Sequence, residues 1–245
     1  MCCRIRNLTP PSPDNPSLLA RVTGVVFRPR ATFAAVVMRP RAAGLLIILT
    51  AASCAATGGF LVTDVGQVAL VDQWERTALA FGQPVDDARY KEMQNLSRYG
   101  MPYAAAIAAV RVPVAATAIA SLLYGVFAVR GRRATFNQAL AVTAHAGVIL
   151  VLRDLVAAPL NYARESLGSP ATLNQLFGMF DETSPLARFF ALIDLFMLWW
   201  IVVLAIGVAV LYRTRIRSAV TTLLGTYVGI AVVLAGTMAV LGGTR

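Results

Sequence analysis

Four stretches of the chain are almost free of charge: Ala42 to Thr63, Pro102 to Val129, Leu186 to Tyr212 and Ala219 to Gly243. Each exceeds the roughly 20 residues that a helix needs to cross the hydrocarbon core of a bilayer. A fifth, Ala139 to about Leu160, is apolar apart from His145, Arg153 and Asp154. Apolar runs of this length predict α-helices, because a helix satisfies its own backbone polar groups where there is no water to do so. The fifth run reads as a span with a polar outer end, a re-entrant segment being the alternative. The pattern predicts an all-α polytopic membrane helix bundle with five transmembrane helices, at about 42–63, 102–129, 139–160, 186–212 and 219–243.

The remaining segments carry weaker patterns. Residues 1–15 are polar and are expected to be disordered. Over 16–41, Asn15 and Pro16 read as a helix cap and first turn, followed at helical spacing by Leu18, Leu19, Val22, Val25 and Val26 beside Arg21 and Arg28. A second amphipathic helix begins at Pro29, with Phe33, Val36 and Val37 on one face and Arg30 and Arg39 on the other. The pair either lies along the inner membrane interface or docks on the ends of the spans, and both arrangements keep its apolar faces out of water. The outer loops, 64–101 and 161–185, are too long for simple turns. They hold Trp74, Leu79, Phe81, Tyr90, Met93, Leu96, Leu173, Leu176, Phe177, Met179 and Phe180, so short helices on the outer surface are expected there.

Composition agrees with a membrane solvent: of 245 residues, 58% are hydrophobic and 14% charged. That leaves too little polar surface to coat a water-soluble body, since about a quarter of an average soluble domain is charged. The net charge of +10 does not point to nucleic acid, because the cations fall in short clusters between apolar runs and form no contiguous basic face. Cys2, Cys3 and Cys54 have no paired framework or metal-ligand spacing, so no disulfide, metal or cofactor is expected. Among 22 basic residues only Lys91 is lysine and alanine is abundant, a composition that suggests GC-rich bacterial coding.

The clusters also assign sides, because Lys and Arg near span ends favour the cytoplasm. Arg4, Arg6, Arg21, Arg28, Arg30, Arg39 and Arg41 precede the first span against Asp14 alone. Acidic residues outnumber basic ones between Asp64 and Met101. Arg130, Arg132 and Arg133 follow the second span unopposed; Glu165, Asp181 and Glu182 outweigh Arg164 and Arg188 after the third; Arg213, Arg215 and Arg217 follow the fourth. The alternation predicts a multi-pass protein of the bacterial inner membrane with a cytoplasmic N-terminus and a periplasmic or extracellular C-terminus. Only a true third span keeps Arg130 to Arg133 and Arg213 to Arg217 on one side.

Two motifs carry a resemblance to a known family. Arg21-Val22-Thr23-Gly24-Val25-Val26-Phe27-Arg28-Pro29-Arg30-Ala31-Thr32-Phe33 is similar to the lead-in of the Yip family of multi-pass membrane proteins (Ypt-interacting, the Yip-one domain), in its bacterial form. Ala134-Thr135-Phe136-Asn137-Gln138-Ala139-Leu140-Ala141-Val142 is similar to that family's approach to its third span. The resemblance covers about Leu18 to Gly243 and implies the five-span domain. Eukaryotic members are linked to Rab-type GTPases and vesicle traffic, but the tyrosine- and proline-containing signature they carry ahead of the first span is absent here.

Charge inside the spans is the remaining candidate for chemistry, since a lone Arg or Asp near the bilayer centre costs roughly 2.5 to 3.5 kcal/mol. Arg111 lies nine residues past Pro102 and Asp194 eight past Leu186 on spans of the same direction. At about 1.5 Å rise per residue their depths match and they can pair. Arg153 and Asp154 are expected slightly shallower, so Arg111, Arg153, Asp154 and Asp194 form one expected cluster, neutral in sum. Its balance favours a structural pair over a conduction pathway. His145, without a second ligand or nucleophile, is expected to make a helix contact and no catalysis. Gly225 and Gly229 offer a small-residue face for packing within the monomer or for a homo-oligomer.

No glycine-rich phosphate loop, paired zinc motif or nucleophile elbow is present. The expected function is therefore non-enzymatic: a membrane protein that organises the lipid bilayer or a membrane or cytoplasmic protein partner. A small transporter or channel subunit built on the charged cluster is the alternative, which a water-accessible cavity reaching that cluster would favour and a dry, closed bundle would not.

Overall fold

The computed structural model describes residues 18–80, 82–169, 171–177 and 189–242. Expectations for residues 1–15, for the cap at Asn15 and Pro16, and for Phe81, Met179, Phe180, Asp181, Glu182 and Leu186 lie outside the described residues. Eleven helices are described: α1 Leu18–Phe27, α2 Pro29–Met38, α3 Ala43–Leu61, α4 Asp64–Ala80, α5 Asp87–Ser97, α6 Gly100–Val129, α7 Phe136–Ala146, α8 Val148–Arg164, α9 Leu173–Phe177, α10 Leu195–Tyr212 and α11 Ile216–Gly242. Five helical runs are long and apolar enough to cross a membrane, with α7 and α8 forming one of them across Gly147.

The surface is what a bilayer requires. Only 17% of the apolar window of α6 and 11% of that of α11 is buried, and the rest displays side chains such as Ile107, Val110, Val114, Val232 and Val233. A patch of that extent exposed to water would drive association, whereas against lipid tails it has no reason to hide. The interior is built from α3, α6, α7, α8 and α10, with Leu45, Leu49, Val142, Ile149, Leu204 and Val208 at its centre.

The N-terminal helices dock on the bundle, one of the two arrangements the sequence left open. Pro29 occupies the first turn of α2, where its missing N–H would be unsatisfied in any case. Phe33 and Val36 are then carried against α7 and α10, where Phe33 is completely buried. Gly207 of α10 makes this approach possible: a Cβ there would lie 2.6 Å from Val142 Cγ1 and 3.1 Å from Phe33 Cε1. Gln138 Nε2 also donates to the Val37 carbonyl at 3.1 Å, tying the end of α2 to the start of α7. α7 itself starts with a capping box, Thr135 accepting from Gln138 N and Gln138 accepting from Thr135 N.

The arginine-rich segments meet at one end of the bundle. Arg132 Nη1 donates to the Tyr212 carbonyl at 3.4 Å, and Phe127 stacks on Tyr212 with ring centroids 3.8 Å apart. Arg130 to Arg133, Arg213 to Arg217 and the end of α2 therefore share a neighbourhood.

At the opposite end, α4 is more than a surface helix. Ala69 and Leu70 pack against Phe60, Leu61 and Ala104 in a second core, and Trp74 meets Tyr103 edge to face. Gly66 sits where any Cβ would run into the Phe60 carbonyl, so the sharp turn from α3 into α4 depends on it.

Candidate functional site

Two helices bring charge together, and a third adds a hydroxyl, in the half of the bundle away from the arginine-rich end. Arg111 on α6 donates through Nη2 to Asp154 Oδ2 at 3.1 Å and to Ser53 Oγ at 3.0 Å. Ser53 on α3 donates to Asp154 Oδ2 at 2.6 Å. Arg153 Nη2 donates to the other oxygen, Asp154 Oδ1, at 3.2 Å. One carboxylate thus receives two guanidiniums and a hydroxyl, while Ser53 is fully buried and the Asp154 side chain is 10% exposed. A carboxylate in a low-dielectric site needs its lone pairs filled in this way.

Asp194 is not in this cluster, and the expected Arg111–Asp194 pair is replaced by Arg111–Asp154. The depth match took Leu186 as the start of the fourth span, but the long helix there begins at Leu195 and Asp194 is its N-cap. Asp194 Oδ1 accepts from Phe196 N at 2.7 Å and from Met197 N at 3.1 Å, satisfying orphan donors of the first turn, and Oδ2 accepts from Ser169. The strand-like pairing of Thr172 with Asp194 and the Tyr227 hydroxyl, which donates to the Leu192 carbonyl at 2.6 Å, fix the segment ahead of the helix.

Two cavities adjoin the cluster. The first, about 250 Å³, is lined by α3, α6, α7, α8 and α10, and runs from Ser53, Arg111 and Asp154 along Val112, Ala116, Ile119 and Leu46 to Trp200. Its walls are apolar except for Thr143 and the charged end. The second, about 170 Å³, lies on the other side of Arg153 and Asp154, toward Asn161, Gly168 and Ser169. Arg153 and Asp154 stand at the waist between them. A cavity therefore does reach the cluster, as the transporter alternative requires, but its long arm is apolar.

His145 is buried completely on α7, with Nδ1–H donating to the Ala141 carbonyl at 2.7 Å. Its Nε2 has no hydrogen-bond partner among the described residues, and Arg21 of α1, 9% exposed, lies within electrostatic range. No three His, Cys, Asp or Glu side chains converge as a metal site needs, among the described residues. Gly225 and Gly229 have open space where a Cβ would stand, so they face away from the bundle formed by the described residues.

Ser53 and Ser169, partners of the two acids, were not singled out by sequence reasoning. A small hydroxyl in an alanine-rich span carries no signal of its own. Asp194 did carry one: an acid directly before the unbroken apolar run Leu195 to Val203 is an N-cap signature.

A family model described as Yip1 domain matches residues 23–240. No curated protein and no solved structure matches the chain.

Proposed function

The chain belongs to the Yip1 domain family, and from that premise we propose that it is a non-enzymatic multi-pass membrane protein that organises the bilayer or a partner complex through its docked N-terminal hairpin. The observation that carries this reading is the two-sidedness of α1 and α2. Val25, Phe33 and Val36 are buried in the bundle, while Leu19, Phe27 and Met38 are 77%, 81% and 82% exposed beside the exposed Arg28, Arg30, Arg39 and Arg41. A rigidly held face that mixes large apolar side chains with arginines suits the boundary between acyl chains and anionic headgroups, or a partner at that level.

The meeting of Arg130 to Arg133, Arg213 to Arg217 and α2 at one end supports a cytoplasmic position for that end in a bacterial inner membrane, with the C-terminus across the bilayer. Affinity capture from native membranes tests the reading, comparing the wild type with a variant carrying Arg28, Arg30, Arg39 and Arg41 all as Gln. Loss of co-purifying proteins or anionic lipids in the variant is expected, and identical sets from both would overturn it.

A transporter or channel subunit is the second reading, supported by the two cavities that meet at Arg153 and Asp154. In the half beyond Leu46 and Ile119, Phe33, Val36, Val142 and Val208 fill the interior, so a through-path needs α2 to move. Solute flux into proteoliposomes that Asp154→Asn abolishes would favour transport over the first reading.

A further inference from the structure

We propose that the first cavity binds the head of one uncharged, lipid-soluble quinone drawn from the hydrocarbon of the bilayer, with a ring carbonyl accepting from Arg111. Neither the α1–α2 surface nor a path through the bundle is needed for it.

The site is deep. Ser53, Arg111 and Asp154 lie eight, eleven and ten residues inside the α4-side ends of α3, α6 and α8. At about 1.5 Å per residue that is roughly 12 to 16 Å below those ends. From there the apolar arm runs on toward the arginine-rich end, past Val112, Ala116 and Ile119 to Leu46. A ligand seated here lies within the hydrocarbon core, out of reach of the hydrated headgroup of a membrane lipid.

Charge restricts the ligand further. Asp154 is held by Arg111 and Arg153, while Asp194 keeps its charge beside Ser169, and Tyr227 is within electrostatic range of both Asp194 and Arg153. The two arginines and two acids sum to zero, so there is no surplus charge for an ionic ligand to neutralise. There are open donors, however. Arg111 bonds only through Nη2 among the described residues, and its side chain is 49% exposed although it lies within a membrane span. Thr143, the other polar group of the apolar arm, already donates to the Ala139 carbonyl at 3.0 Å. N–H groups of Arg111 left without acceptors in hydrocarbon are costly, and a carbonyl oxygen satisfies them without bringing charge.

Size and walls select a ring. The cavity, about 250 Å³, is smaller than the roughly 300–1,000 Å³ that encloses a whole drug-sized ligand, so it takes a ring and leaves a long chain outside. That chain has a lateral route: α6 packs on α3 and α7, whereas α10 packs on α2, α7, α8 and α11, so the cavity lies in the gap between α6 and α10. On the α10 side, Met197 and Trp200 offer a polarisable sulfur and an aromatic surface, both suited to an electron-poor ring. An isoprenoid quinone joins these properties: no charge, acceptor oxygens without donors, a flat ring, and a chain at home in hydrocarbon. A fatty acid brings an ionisable carboxyl, and a bare hydrocarbon leaves the Arg111 donors unmet. The step is binding alone, with no bond made and no electron moved.

Trp200 lines the cavity and reports on it directly, because a quinone in contact quenches indole fluorescence. Full-length protein with Trp74→Phe and Trp199→Phe is reconstituted into phosphatidylcholine vesicles and titrated with a decyl-chain benzoquinone. Saturable quenching above the linear collisional background is expected. Arg111→Met, which keeps the length of the side chain and removes its donors, should weaken half-saturation about tenfold, the worth of one or two hydrogen bonds. Ala115→Phe, which narrows the cavity, should leave only the linear background. Melting temperatures near that of the starting protein identify variants that retain their fold. If a variant unfolds, competition in the starting protein decides: decylbenzene, of similar shape but without carbonyls, should relieve the quenching about tenfold more weakly than the quinone binds, and myristate should do no better. Purely linear quenching, unchanged half-saturation in folded Arg111→Met, or decylbenzene competing as well as the quinone binds would overturn the proposal. So would stronger competition by myristate, which marks a site for a carboxylate.

Discussion

Asp154→Asn removes one charge and almost no volume, which isolates what the carboxylate does. Three contacts depend on it: Ser53 Oγ at 2.6 Å, Arg111 Nη2 at 3.1 Å and Arg153 Nη2 at 3.2 Å. The amide retains the capacity to accept from one or two of these, but the two guanidiniums then share a membrane-embedded site with no counter-charge in contact. Stranding a charge by removing its buried partner costs about 3 to 5 kcal/mol in proteins. Arg111 is half exposed and Arg153 stands beside the polar cavity, so the lower end, about 3 kcal/mol, is expected. Arg111→Leu should cost less, about 1 to 2 kcal/mol, because Asp154 keeps Arg153 and Ser53. The double variant should then lose less than the sum of the two by at least about 1 kcal/mol, since the guanidinium of Arg111 that Asp154→Asn strands is the group that Arg111→Leu removes. Unfolding by dodecyl sulfate in mixed micelles, followed by the fluorescence of Trp74, Trp199 and Trp200, measures all three. Additivity within about 0.5 kcal/mol would show that Arg111 and Asp154 do not act as a pair, and the reasoning would fail.

Gly207→Leu should expel Phe33 and cost about 1 to 3 kcal/mol by overpacking; faster proteolysis of residues 18–38 in detergent is the readout, and an unchanged rate would mean that α2 is not held there. Asp194→Ala should lose about 1 to 2 kcal/mol in the same micelle titration, the cost of an N-cap, while Asp194→Asn recovers most of it. Leu at both Gly225 and Gly229 should leave monomer stability within about 0.5 kcal/mol, because no atom of the described residues lies within 4 Å of where either Cβ would stand. If that change shifts the oligomeric state in detergent, the face serves an interface between copies. In a background without Cys2, Cys3 and Cys54, cysteines placed at Arg133 and at Glu92 should react with impermeant maleimide from opposite sides of the membrane, and labelling from one side would refute the alternating topology.

The five apolar helices were legible because hydrocarbon imposes a one-dimensional rule: every backbone polar group must be paired locally, so length and apolarity suffice to mark a span. The grouping of arginines was legible for a similar reason, charge near a span end being costly to translocate wherever the neighbours lie. The partners of buried charge were not. Composition showed that Arg111, Arg153, Asp154 and Asp194 needed compensation, but which acid met Arg111 depended on a helix start that moved from Leu186 to Leu195 and turned Asp194 from a span residue into a cap. Ser53, Ser169 and Gly207 acquired their roles only when α3, the loop before α10, and α2 were brought against them. Periodicity along one helix says which face is apolar. Only the packing of several helices decides where two of them leave a gap, and the cavity beside Arg111 is such a gap.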